Sequence, residues 1–426
     1  MENSGKKSER TQLFRFCLYG FLKNQQYFEP FLILAFLEKG MSFLQIGLLV
    51  SFRAVCVNLL EIPSGAAADV WGKRRSMIAS MSAYIISFAL FAAADKYLMF
   101  FPAMFLFAIG ETFRTGTHKA MIFDWLQHCG RETERTKIYG FTRSWSKIGS
   151  ALNVIIAAGV VIYSGSYTWV FLISIIPFLL NIINFTFYPA FLDGHPDRQR
   201  NLKEVLLTLR NGVVRCFSRK VLRNMIAENI CFEGYYSTAK EYLQPLLKTA
   251  AVALPVLTAS SGKTRTALLV AAVYAALNLI SSAASRKSHK LTKAAGGEFQ
   301  IAAWIMILSL FCYLAAGTGF LLNYSAISIA AFILLALMLN VWKPVFVSRF
   351  YGFVEKESGA TALSVVSQTK SLSVALIAPG IGWLVDYVSH SAPAPQLWPV
   401  AAGGVCFALI HMFFHTANRK VEGGGA

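Results

Sequence analysis

The chain has 426 residues, 55% of them hydrophobic and only 15% charged, with a mean hydropathy of +0.51 and a net charge of +18. A soluble domain carries about a quarter of its residues charged, so this composition excludes a water-soluble fold. The basic excess would suggest nucleic acid in a soluble protein, but here it sits in short clusters between apolar runs, where it sets membrane topology.

The first ten residues are polar and basic (Lys6, Lys7, Arg10), and no cleavable signal peptide is expected. A membrane-crossing helix takes about twenty predominantly apolar residues. Such runs fall near 13–36, 43–68, 76–94, 97–122, 138–163, 168–190, 224–247, 266–284, 300–322, 325–347, 361–387 and 397–417. Basic clusters occupy alternate loops: Lys73-Arg74-Arg75, Arg131 with Arg135 and Lys137, the segment Arg198–Arg223, and Arg286 through Lys293. The intervening loops hold only Lys39, Lys96, Lys248, Lys263 and Arg265. That alternation places both termini in the cytoplasm of a multi-pass protein of the cytoplasmic (inner) membrane. The seven Cys lie mostly in apolar stretches without a C-x-x-C pair, which reads as free thiols and neither a disulfide framework nor a zinc site.

The longest cytoplasmic segment, 192–223, divides the chain. Leu202, Val205, Leu206, Leu209, Val213 and Phe217 recur there at helical spacing among basic residues, as in an amphipathic surface helix or a solvated linker. The expected organisation is a bundle over 1–191, this linker over 192–223, and a second bundle over 224–426. The halves repeat: Tyr27-Phe28-Glu29-Pro30 matches Tyr242-Leu243-Gln244-Pro245, and Ser144-x-Ser146-Lys147-x-x-Ser150 matches Ser367-x-Thr369-Lys370-x-x-Ser373. A same-orientation repeat of six spans is a transporter architecture.

The sharpest local motif runs Gly65-Ala66-Ala67-Ala68-Asp69-Val70-Trp71-Gly72-Lys73-Arg74-Arg75, preceded by Glu61-Ile62-Pro63-Ser64. With it the chain resembles the major facilitator superfamily, and the signature looks like a poorly characterised bacterial branch. The resemblance implies an all-α membrane protein, with twelve transmembrane helices in two pseudo-symmetric six-helix bundles. It also implies a cytoplasmic gate: Gly65, Asp69, Gly72, Lys73, Arg74 and Arg75 would latch the halves, with Asp69 facing the start of span eleven. The plainer reading of Lys73, Arg74 and Arg75 is topology alone.

Charges at bilayer depth need a partner or a wet cavity. Span four carries Glu111, Arg114, Thr115 and His118 at three- and four-residue spacing. Superfamily antiporters have a coupling Arg on this span, so Glu111, Arg114 and His118 are candidates for proton coupling; the alternative is a self-satisfied Glu111–Arg114 pair. Span seven shows Glu233, Ser237, Lys240, Glu241 and Gln244, and span one Lys23, Gln26 and Glu29. Spans one and seven line the cavity in the family, so these residues, with Lys147 and Lys370, are the expected solute pathway; Pro30 and Pro245 would let both helices bend. His411 and His415 at four-residue spacing read as packing, not metal binding, and Trp342-Lys343-Pro344 as an interfacial anchor ending its helix.

No P-loop, H-E-x-x-H or nucleophile constellation is present, so neither ATP drive nor an enzyme is expected. The expectation is a secondary active transporter of a small polar solute, coupled to protons or sodium. It would be a monomer among membrane lipids, without cofactor or nucleic acid. A multidrug antiporter and a non-transporting sensor remain the alternatives.

Overall fold

The computed structural model describes residues 2–193, 202–253, 260–354, 359–392 and 394–422. Every regular element among them is helical, as expected where no water is at hand to satisfy backbone N–H and C=O groups. In chain order these are α1 (Glu2–Leu22), α2 (Leu32–Glu38), α3 (Phe43–Trp71), α4 (Lys73–Ala93), α5 (Phe100–Arg114), α6 (Thr117–His128), α7 (Arg135–Ser164), α8 (Trp169–Thr186) and α9 (Leu202–Ser218). There follow α10 (Lys220–Asn229), α11 (Tyr235–Ala239), α12 (Leu243–Ala253), α13 (Gly262–Ala294), α14 (Glu298–Leu321), α15 (Ser325–Tyr351), α16 (Gly359–Ser389) and α17 (Trp398–Glu422).

Among the described residues ten stretches are long and apolar enough to cross a membrane by length and composition. The other two expected spans, the first and the seventh, are interrupted. After Leu22 the chain leaves helical geometry and re-enters through a 3-10 turn, Glu29–Phe31, into α2. The seventh span passes from α10 through a π turn, Ile230–Gly234, to α11, and then through a 3-10 turn, Lys240–Tyr242, to α12. The prolines do not make these breaks. Pro30 and Pro245 lie just past them, in first turns where an N–H has no helical partner to lose.

Contacts divide the chain into two compact units: residues 1–35 with 56–205, and 36–55 with 206–426. The boundary falls inside α3, whose N-terminal part, Phe43–Val55, belongs to the second unit. There the Asp386 carboxylate of α16 accepts from the Phe43 and Leu44 N–H groups at 2.9 and 2.7 Å, and the Gly47 backbone rests on Ala378 and Pro379.

The repeat is visible in the packing of each unit. In the first, α4 packs on α5 and α8, and α1 on α7; in the second, α14 packs on α15 and α17, and α11 on α16. Small residues permit these approaches and hydroxyls bridge them. Ser80 donates to the Gly110 carbonyl at 2.5 Å and Ser328 to that of Ala316 at 3.0 Å. Tyr84 lies flat against Gly110, and Tyr313 against Gly404. Outward-facing Ile155, Ile176, Ile183, Leu376 and Phe413 are exposed, which suits acyl chains.

The linker forms α9, and Gly212 holds it against Thr361 of α16 so closely that a Cβ would come within 2.5 Å of the threonine methyl. Trp342 corrects an expectation. It is fully buried, its Nε1–H donates to Asn229 Oδ1 at 2.9 Å, and α15 continues through Pro344 to Tyr351. A buried indole must find an acceptor, and Asn229 provides one, so this Trp anchors the core and not the membrane interface.

Candidate solute site

A cavity of about 400 Å³ lies wholly within the first unit, walled by α1, the α5–α6 junction and α7. It forms where helices are brought close and then interrupted. A Cβ on Gly20 would meet Ser146 Oγ at 2.7 Å, and one on Gly149 would meet the Phe21 carbonyl at 2.6 Å, so α1 and α7 touch backbone to backbone. Where α1 stops, side-chain amides take over its polar groups. Asn24 Nδ2 donates to the carbonyls of Gly20 at 2.7 Å and Ser146 at 3.1 Å, and Gln25 Nε2 to that of Gly149 at 3.0 Å.

The fourth span breaks at the same place. Sequence spacing puts Glu111, Arg114, Thr115 and His118 on one face of a continuous helix, but α5 ends at Arg114. Thr115 is extended (φ −67°, ψ 124°), and Gly116 takes φ 82°, a left-handed conformation that glycine adopts without a Cβ penalty. Helix α6 then starts at Thr117 with no side-chain cap.

Arg114 and His118 both line the cavity across this break. The Arg114 guanidinium lies close enough to the Tyr19 and Tyr84 hydroxyls, and to Glu111 one turn back on α5, to interact with them electrostatically. His118 packs its ring on Tyr19 at 3.8 Å, and its Nε2 lies 3.3 Å from the Tyr188 hydroxyl.

Lys23 and Lys147 line the same wall, joined by Lys119 and Arg143, which sequence reasoning passed over. Arg143 was legible, lying four residues before Lys147 on one helical face. The Lys23 ammonium lies 5.8 Å from the Tyr19 ring, and that of Lys119 lies 5.5 Å from Phe123 and Tyr139. Among the described residues the wall holds no carboxylate, and Lys23, Lys119, Arg143 and Lys147 make no ion pair.

The remaining expected pathway residues lie elsewhere. Gln26 Nε2 reaches back to the Lys23 carbonyl at 3.4 Å, and Glu29 is exposed in the 3-10 turn. In the second unit Glu233 Oε1 accepts from Lys370 Nζ at 3.1 Å and lies 3.6 Å from Lys343 Nζ. Ser237 donates to the Glu233 carbonyl at 2.7 Å, Lys240 and Glu241 approach to 3.5 Å, and Gln244 is buried in α12.

The loop motif is tied down inside the first unit. Gly72, at φ 97°, joins α3 to α4. Lys73 pairs with Asp124, and Arg74 uses its N–H and guanidinium on Asp193 at 3.0 and 3.3 Å. Arg75 is exposed, and a Cβ on Gly65 would meet nothing within 4 Å. Asp69 sits in the last turns of α3, and its side chain lies outside the described residues. Sequence spacing gave no sign of Asp124 and Asp193, which are distant in the chain.

A second polar cluster is sealed. Glu228, fully buried, accepts from Arg349 at 3.0 Å and Asn418 at 3.1 Å, with His415 Nδ1 at 3.6 Å. His415 also stacks on Phe299 at 4.1 Å, and His411 lies edge-on to Trp342 at 5.2 Å. Among the described residues no group of His, Cys, Asp and Glu is placed to hold a metal.

Repeated helical units of membrane-spanning length, with broken helices around a charged cavity, define a polytopic membrane transporter. The chain belongs to the Major Facilitator Superfamily, whose sequence profile matches residues 16–378. It is 25% identical over 228 residues to the uncharacterized MFS-type transporter YxaM of Bacillus subtilis (strain 168), a match covering 52% of this chain and 54% of that protein. The chain thus aligns with about half the length of this curated relative. The fold is that of the nucleoside transporter NupG (TM-score 0.70, 13% identity, 96% of each chain covered). It is also that of a D-xylose–proton symporter (TM-score 0.64, 12% identity, 95% of this chain and 97% of that one).

Proposed function

We propose that this protein is a secondary active transporter that moves a small polar solute across the cytoplasmic membrane by alternating access, coupled to protons. The observation that carries the reading is the polar cavity at the α5–α6 break. Cationic side chains and an uncapped helix start meet there at bilayer depth, an arrangement costly to keep except around a ligand or water. Glu111 is the proton carrier, with Arg114 as the fixed cation that loses its counter-charge when Glu111 is protonated and His118 as a second titratable group on the cavity wall. Both termini face the cytoplasm, the protein works as a monomer, and it needs no cofactor.

The test is flux in proteoliposomes. Solute accumulation should follow an imposed pH gradient and collapse when a protonophore dissipates it. Flux that follows sodium instead would assign the other ion, and flux indifferent to both would reduce the protein to a facilitator.

A further inference from the structure

We propose that the transported solute is a small organic anion, a carboxylate or phosphate monoester, and that the cationic cavity of the first unit binds it. This rests on the transporter reading above and names the substrate class of that same cavity.

Lys23, Lys119, Arg143 and Lys147 converge on the cavity with no carboxylate in its wall and no ion pair of their own among the described residues. A fifth cation, Arg114, interacts electrostatically with Glu111. Four such charges without counter-charges repel one another, and an anion relieves that repulsion. The backbone adds to the same field. Thr115 and Gly116 line the cavity, so the uncapped start of α6 opens on it, and the first N–H groups of a helix favour negative charge.

The second unit supplies the internal contrast. Lys370, the repeat mate of Lys147, is already neutralised by Glu233 at 3.1 Å. The repeat kept the lysine in both halves but, among the described residues, placed a carboxylate against only one. A cation, or the ammonium of a zwitterion, would find no carboxylate among the described residues of the first-unit wall, and a neutral solute would leave the cations unmatched. The volume, about 400 Å³, is that of a small-metabolite pocket.

The experiment uses the full-length protein in nanodiscs of phosphatidylcholine, titrated calorimetrically with carboxylates and phosphate monoesters of up to six carbons. Each probe is paired with its amide or alcohol analogue, and putrescine serves as the cationic probe. The acids should bind and the analogues should not. Lys23→Gln and Lys147→Gln should each weaken the acids roughly ten- to a hundredfold, the range for a lost charge-assisted contact. Lys147→Arg should hold binding, and Lys248→Gln, on an exposed site outside the cavity, should match the parent. The same compounds are then tested for flux in proteoliposomes.

Binding and flux of amides, alcohols or putrescine without the acids would overturn the anion assignment and leave the transporter reading standing. Acid binding that survives both glutamine variants would place the anion outside this cavity. Stabilisation only when phosphatidylglycerol is added would make a lipid headgroup, not a soluble solute, the occupant. Absence of binding and flux for every compound would overturn both readings.

Discussion

Lys370 and Glu233 form a direct ion pair, Nζ to Oε1 at 3.1 Å, at the level where α16 meets the π turn of the seventh span. Glu233 also lies 3.6 Å from Lys343, so one carboxylate serves two ammonium groups. The Glu233 side chain is 11% exposed and that of Lys370 31%, so its loss is cushioned less by solvent than a surface pair would be. Glu233→Gln should lower stability by about 1–2 kcal/mol, between the range for exposed pairs and that for buried ones. Combining it with Lys370→Gln should recover part of the loss. Thermal unfolding of the purified variants, followed by size-exclusion chromatography, reads both.

Glu228 and Arg349 are more demanding. Both are sealed, and Asn418 and His415 complete the shell around the carboxylate. Arg349→Met alone strands a buried anion and should cost about 3–5 kcal/mol, enough to abolish folded protein in membranes. Replacing both with Met should restore much of the yield, because a well-packed apolar pair of similar volume is often neutral. Equal yields for the single and double variants would contradict this.

Two glycines on α7 should respond to alanine with opposite signs. Gly149 has the Phe21 carbonyl 2.6 Å from where a Cβ would stand, whereas nothing lies within 4 Å at Gly159. Gly149→Ala should push α1 away from α7, lowering stability by about 1–3 kcal/mol and weakening solute binding. Gly159→Ala should raise stability by up to about 1 kcal/mol through helix propensity alone. The comparison is made by melting temperature on the two proteins in one detergent.

Glu111→Gln separates coupling from binding. The variant should bind solute and support exchange across proteoliposomes, yet lose accumulation driven by a pH gradient. His118→Gln should leave the gradient response in place if Glu111 is the carrier. Uphill transport that survives Glu111→Gln would move the proton elsewhere.

Much of the fold was legible because hydropathy and loop charge act over whole segments. The bounds of α13 through α17 lie within a few residues of the expected spans, apart from the C-terminal extension of α13. What escaped was set by single contacts. Nothing in the sequence near Lys23 says that α1 ends at Leu22, because the end is fixed by Asn24 and Gln25 reaching α7 carbonyls more than a hundred residues away. The α5–α6 break had a local sign, Thr115-Gly116, but glycine in an apolar span also serves close packing, as Gly110 does against Tyr84. Trp342 misled for a related reason: Trp beside Lys and Pro suits an interface, and only its tertiary partner Asn229 shows it to be core.

The interruptions at residues 23–28 and 115–116 break the regular helical ladder: the Asn24 and Gln25 N–H groups turn to the Phe21 and Leu22 carbonyls, and that of Tyr27 to Ser174 Oγ. In hydrocarbon such groups are tolerated only where protein or water meets them. Deuterium labelling of the protein in nanodiscs should therefore reveal short islands of rapid uptake inside otherwise silent membrane segments. Those islands would trace the route by which solvent enters the lipid-embedded core.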